Sequence, residues 1–537
     1  MVEKPCITTR NGVGQTALFD LELRPCSYSA RNNCDNDSKH WCPNFVLTTD
    51  VKHLRIEKEA ALVPYPSWLH AGDNAWQLTA ATLVGLMSIP GLAVLYGGIV
   101  QKKWAVNTML MAFSGFSAVL IVWVLWAFNM GFGTPIHVGP GILGSFVGHP
   151  HPVLDHLGEQ SQANIPLLSG IGLMPKFRFA QSSLVYFQFV FAGITPLLFL
   201  GSVLGRMNFK AWLVFVPLWT TFVYSVNAML VWGGGYWAAK GAVDYSGGYV
   251  IHLAAGVSGF VAAAVVGPRL KRDRENTAPN NLLLVAVGAG ILWMGWNGFN
   301  GGDPYFASAD ASAAVLNTNL ATAASLLTWL LMDMSAKPKK PTFLGAVNGM
   351  IVGLVTITPA AGYVNGWGAL VMGILASVVV WFSFNKLSTK GIFAKVDDAL
   401  GVIHTHGVAG LMGGLMVGLF ADPKMIVYLG LGKQPNVYVA GLFYGHPWQF
   451  MIQLFAALTI IAWDAVVTFI LLKIIGLFIP LRMPDEVLEI GDLEIHSEQL
   501  EPPETARRLV PAADHAHEQH AISGSAIDSS VQSMKLE

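Results

Sequence analysis

His252-Leu253-Ala254-Ala255-Gly256 and His406-Gly407-Val408-Ala409-Gly410 are two copies of one pattern, set 154 residues apart inside long apolar stretches. Reading outward from them, three more patterns recur in the same order. Ile194-Thr195-Pro196 is repeated at Ile357-Thr358-Pro359, Asn107-Thr108-Met109-Leu110 at Asn317-Thr318-Asn319-Leu320, and Tyr96-Gly97-Gly98 at Asn300-Gly301-Gly302. The offsets are 204 and 210 for the first two pairs in chain order and then shrink to 163 and 154, as the loops of the second copy shorten. Four matches in one order imply a duplicated unit.

The solvent of both units is lipid. Of 537 residues, 53% are hydrophobic and only 12% charged, about half the charged share of an average soluble domain. Apolar runs able to cross hydrocarbon roughly 30 Å thick, about 20 residues each, occur near 75–100, 107–130, 181–204, 211–233, 246–268, 280–300, 310–334, 341–360, 365–386, 400–420 and 448–479. The expected fold is therefore all-α and integral to the membrane, with about eleven transmembrane helices. Five spans per unit make the second enter from the opposite side, so the repeats, 75–268 and 280–420, form an inverted 5+5 pair with an extra C-terminal helix at 448–479. Residues 1–74 and 481–537 flank this 75–480 membrane domain.

Lys and Arg in short loops are retained in the cytoplasm. They collect after spans 1, 3, 5, 7 and 9, at Lys102 and Lys103, Arg206 and Lys210, Arg269 to Arg274, Lys337 to Lys340, and Lys386 to Lys395; the other loops hold only Lys176, Arg178, Lys240, Lys424 and Lys433. The N-terminus is expected outside and the C-terminus inside. All four cysteines, Cys6, Cys26, Cys34 and Cys42, lie in the outer N-terminal segment, where two disulfides could form in any of three pairings. Asn36-Asp37-Ser38 is a glycosylation sequon there. Residues 1–20 carry no apolar run of the signal-peptide kind. His515, His517 and His520 fall in the expected cytoplasmic tail and read as solvated.

An ionisable side chain within a span points to function. His252 and His406 occupy equivalent places in the two repeats, so they are expected to meet near the midplane and line a path for a small solute. Removal from water disfavours imidazolium, leaving neutral rings with one donor and one acceptor nitrogen each. Such a pair suits a small polar molecule and not a bare metal ion, and no embedded cysteine cluster or second carboxylate shell accompanies it. His404, on another side of its helix, reads as a packing residue. Trp232, before Gly233-Gly234-Gly235, offers an indole face to an ammonium-type cation, and Asp244 can cap the fifth span. With a net charge of −1, no field favours nucleic acid. No nucleophile and base set marks an enzyme, and no cofactor loop or metal site is seen.

The stretches GDNAWQLTAATLVGLMSIPGLAVLYGGIV (72–100), YFQFVFAGITPLL (186–198), VDYSGGYVIHLAAGVSG (243–259), MGWNGFNGG (294–302) and VDDALGVIHTHGVAGLMGG (396–414) resemble the ammonium transporter (Amt/Mep/Rh) family, and the HTHGV wording is similar to its plant AMT2-like and microbial branch. The resemblance covers about 72–498. It implies that His252 and His406 are twin pore histidines, that Phe191 and Phe299 gate the outer mouth, and that Trp232 binds the cation with Asp244 supporting the site. It further implies a homotrimer in the plasma membrane with one pore per subunit. Asp303 stands where many relatives have a vestibule serine that binds ammonium, and Gly401 replaces an aspartate often found five residues before the second histidine. The expected function is ammonium or ammonia transport. A channel for methylammonium or carbon dioxide, and an ammonium sensor (transceptor) acting on a cytosolic regulator through its tail, are the alternatives.

Overall fold

The computed structural model describes residues 66–500, apart from 171, 173 and 426–438. Cys6, Cys26, Cys34, Cys42, Asn36 and the three tail histidines lie outside the described residues. Among the described residues, ten apolar helices are long enough to cross a membrane: α1 (Ala71–Ile99), α2 (Lys102–Phe132), α3 (Gln181–Val203), α4 (Phe209–Ala239), α5 (Gly248–Val266), α6 (Leu282–Gly301), α7 (Ala309–Ser335), α9 (Gly366–Leu387), α10 (Ile403–Phe420) and α11 (Trp448–Gly476). The eighth of the expected spans is shorter. α8 (Phe343–Ile357) has 15 residues, about 22 Å at 1.5 Å per residue. α8 ends at its Ile-Thr-Pro and the buried turn 358–364 follows, whereas the matching Ile194-Thr195-Pro196 lies inside α3, which runs on to Val203, so the proline alone does not end the helix.

Burial separates the helices into a centre and a lipid-facing rim. The apolar part of α3 is almost wholly buried and that of α5 and α10 mostly so, whereas α7 and α11 bury about a third. The threonines of the two Ile-Thr-Pro copies behave alike: Thr195 Oγ1 donates to Phe191 O at 2.7 Å and Thr358 Oγ1 to Leu354 O at 2.8 Å. Each hydroxyl thus satisfies its own group within apolar surroundings.

The inverted repeat is most visible where α5 and α10 cross. Both begin with a widened π-helical turn, Gly248–Leu253 and Ile403–Val408, and each turn carries one of the paired histidines. Such turns recur at functional sites. Backbones touch here only because side chains are absent: a Cβ on Gly256 would stand 2.2 Å from Gly407 Cα, and one on Gly410 would stand 2.9 Å from His252 Cβ. Glycines at the crossing are what bring the two helices together.

Beyond α11 the chain folds back. Helices α12 (Asp485–Ile490) and α13 (Asp492–His496) sit against the start of α2, at the end that the charge pattern places in the cytoplasm. Asp492 accepts from the N–H groups of Val106 and Asn107 at 2.7 and 2.9 Å, Lys103 Nζ donates to Leu488 O at 2.9 Å, and His496 Nε2 lies 2.9 Å from Asn107 Oδ1. The segment after 481 is therefore docked on the helical body, at least as far as His496.

Candidate functional site

A line of rings runs from one mouth to the middle of the protein. The Trp232 indole, fixed by donation from Nε1 to Asp244 O at 2.6 Å, meets Phe191 edge-on with centroids 6.1 Å apart. Phe191 and Phe299 face each other at 4.3 Å and are fully buried, closing the path. Phe299 stacks at 6.0 Å on His252, which also stacks on Trp296 at 5.4 Å. His252 and His406 come within 3.3 Å between their Nδ1 atoms. One of these nitrogens must carry the shared proton and the other accept it.

Among the described residues, His252 Nε2 has no hydrogen-bond partner, although the residue is only 1% exposed. A buried polar atom left unpaired costs about 1–3 kcal/mol. A solute with a hydrogen to donate or a lone pair to offer would relieve that. Below the pair, His406 lines a cavity of about 800 Å³ that also includes His404, Asp398, Asp333 and Trp381.

Asp244 organises the entrance. Its Oδ1 accepts from the N–H groups of Gly247 and Gly248 at 3.1 and 2.6 Å, and its Oδ2 from those of Tyr249 and Val250 at 2.9 and 3.0 Å. Four donors saturate a carboxylate, so this residue is the cap of α5. Burial nevertheless pushes its carboxyl up to about 6, against the pull of the four amides. Asp303, on the loop between α6 and α7, is 3% exposed and accepts from Ser246 Oγ, while the same hydroxyl lies 3.4 Å from Phe299 O. The seven residues singled out in the sequence thus form one continuous assembly.

Three features differ from or extend the sequence reading. His404 is not merely packed: it lines the inner cavity, with Nδ1 2.7 Å from Ser383 Oγ. Gly401 has φ +69°, and a Cβ there would meet Phe384 at 2.4 Å, so this backbone has no room for an aspartate. Asp398 was missed. It lies eight residues before His406, as Asp244 lies eight before His252, and it caps α10 through Ile403 N at 2.9 Å. The repeated Asp-to-His spacing was the available signal. Among the described residues, no group of three or more His, Cys, Asp or Glu side chains could hold a metal ion.

Apolar helices around an occluded, imidazole-lined path define a polytopic membrane transporter of a small polar solute. Residues 75–500 match the Ammonium Transporter Family. The chain is 50% identical over 445 residues to "Ammonium transporter 3 member 2" of Oryza sativa subsp. japonica, covering 80% of this chain and 90% of that one. It is also 50% identical over 444 residues to "Ammonium transporter 2" of Arabidopsis thaliana, covering 82% and 90%. Among solved structures, Saccharomyces cerevisiae Mep2 superposes with a TM-score of 0.67 at 28% identity, over 78% of this chain and 90% of that one. The chain belongs to the ammonium transporter family.

Proposed function

We propose that this transporter recruits ammonium from outside at Trp232 and Asp303, strips its proton before the Phe191 and Phe299 rings, and conducts ammonia past His252 and His406. The observation that carries this reading is the unpartnered His252 Nε2 between the closed aromatic gate and the inner cavity. An indole face attracts a cation, and a dry passage penalises one by far more than it penalises a neutral molecule. Charge selects ammonium at the mouth, and hydrogen bonding carries ammonia through the middle.

The finer reading places the chain in the plasma membrane with its N-terminus outside, as a homotrimer with one path per subunit. The alternation of Lys and Arg between loops supports that orientation. The docked 481–496 segment is the place where a cytosolic regulator would act.

The test is ammonium uptake in cells lacking their own ammonium transport, comparing His252→Ala and His406→Ala with Trp232→Leu. Both histidine variants are expected to lose most uptake, and Trp232→Leu to raise the half-saturating concentration. Wild-type uptake in both histidine variants would remove these residues from the path.

A further inference from the structure

We propose that Asp303 is the base that takes the proton from ammonium at the outer mouth, with Ser246 as its positioning residue. This rests on the transport reading above and assigns its one chemical step to an atom. Two carboxylates stand near the gate. Asp244 is excluded by its own geometry, since four backbone N–H groups occupy its lone pairs and a proton there would break the start of α5. Asp303 is free of that duty: its Oδ2 accepts from the Ser246 hydroxyl, and the same hydroxyl lies beside the backbone carbonyl of Phe299, the residue whose ring closes the path.

The step balances simply. Ammonium gives H⁺ to a carboxylate oxygen of Asp303, an N–H bond breaks, an O–H bond forms, and ammonia and a neutral carboxylic acid result. Ammonia passes between the rings, and the acid returns its proton to outer water before the next cycle, because Phe191 and Phe299 separate it from the histidines. Ammonium is a far weaker acid than a carboxylic acid, so transfer to an ordinary aspartate runs uphill. Burial narrows that gap by pushing the Asp303 carboxyl well above its usual range, with nearby Asp244 adding to the shift and the Ser246 hydroxyl opposing it. An arriving cation at the same time favours the ionised form that must accept. The titratable groups around it are Asp244 and Tyr245 on the approach to α5, Tyr224 on α4 and Tyr305 on its own loop. None of these is a cation; Arg178, which stacks on Phe306 nearby, is paired with Asp73 at 2.7 Å.

The test uses the full chain reconstituted in vesicles, with empty vesicles subtracted, and compares wild type with Asp303→Asn, Asp303→Glu and Ser246→Ala at equal amounts of protein. Asparagine keeps the shape and the bond from Ser246 but cannot accept the proton. The maximal rate of Asp303→Asn is expected to fall about a hundredfold, as for loss of a general base, with the half-saturating concentration also raised by loss of the recruiting anion. Asp303→Glu is expected to recover at least a tenth of the rate. Wild-type uptake at fixed ammonium is expected to decline as outer pH falls, a limb absent from Asp303→Asn, and to carry no net charge. An Asp303→Asn variant with unchanged maximal rate and a raised half-saturating concentration would make Asp303 a binding group only and overturn the proposal, leaving the transport reading in place. A net charge per ammonium moved would overturn the return of the proton outward. Absence of uptake by the wild-type chain would overturn both readings.

Discussion

Replacing Gly256 by alanine tests whether the crossing of α5 and α10 holds the histidine pair. The new Cβ would lie 2.2 Å from Gly407 Cα and 2.4 Å from Gly407 N, both backbone atoms that cannot rotate away. Ordinary contact begins near 3.4 Å, so the helices must part by about 1.2 Å, at the upper end of the 1–3 kcal/mol typical of overpacking. His252 lies one turn away on the same helix. If it moves with the helix, the 3.3 Å separation of the imidazoles grows past the limit of a hydrogen bond. Ammonium uptake per transporter in the membrane is expected to fall at least tenfold, with a lower melting temperature in detergent. Gly290→Ala, on exposed α6 surface with nothing within 4 Å of its Cβ, is the control and should match wild type. Full uptake and unchanged melting in Gly256→Ala would refute the claim that backbone contact at this point sets the pore geometry.

Asp244→Ala removes the acceptor of four backbone N–H groups at the start of α5, and at about 1 kcal/mol or more for each buried donor left unpaired it should abolish accumulation of folded protein, read by size-exclusion chromatography. Asp397, held below the usual carboxylate range by Arg269 despite burial, stabilises the ionised state. Its contribution should be complete at neutral pH and vanish as pH falls through its depressed value, below about 4. Asp397→Asn should therefore melt lower than wild type at pH 7 and at pH 5, with the gap closing only in stronger acid. Asp492→Ala deletes the cap on Val106 and Asn107, worth about 1 kcal/mol, and should speed limited proteolysis after residue 481 several-fold while leaving the helical body intact.

Much of the architecture was legible because lipid imposes a simple rule on sequence: each crossing must be a long apolar helix that satisfies its own backbone. The spans near 181–204 and 280–300 lie within a few residues of Gln181–Val203 and Leu282–Gly301. At α8 hydropathy overestimated the helix, because the apolar residues after Ile357 belong to a buried turn, which composition does not distinguish from a span. His252 and His406 were legible as a pair through repetition, without any knowledge of their distance. Phe191 and Phe299 came from the resemblance alone, because a phenylalanine in an apolar span has no pattern to distinguish a gate from core packing.

The sequence by itself determined that this protein lies in a membrane, that four of its patterns recur in one order, and that two histidines hold equivalent places in that recurrence. Those readings follow from hydropathy and internal repetition, both properties of the chain in order. Only the tertiary structure decided that Asp244 is spent on capping while Asp303 is not, that Asp398 caps α10, that His404 opens onto the inner cavity, and that the segment after α11 docks against the start of α2 near Lys103. Each depends on which groups from distant parts of the chain consume one another's hydrogen bonds, and that accounting exists only once the helices have packed.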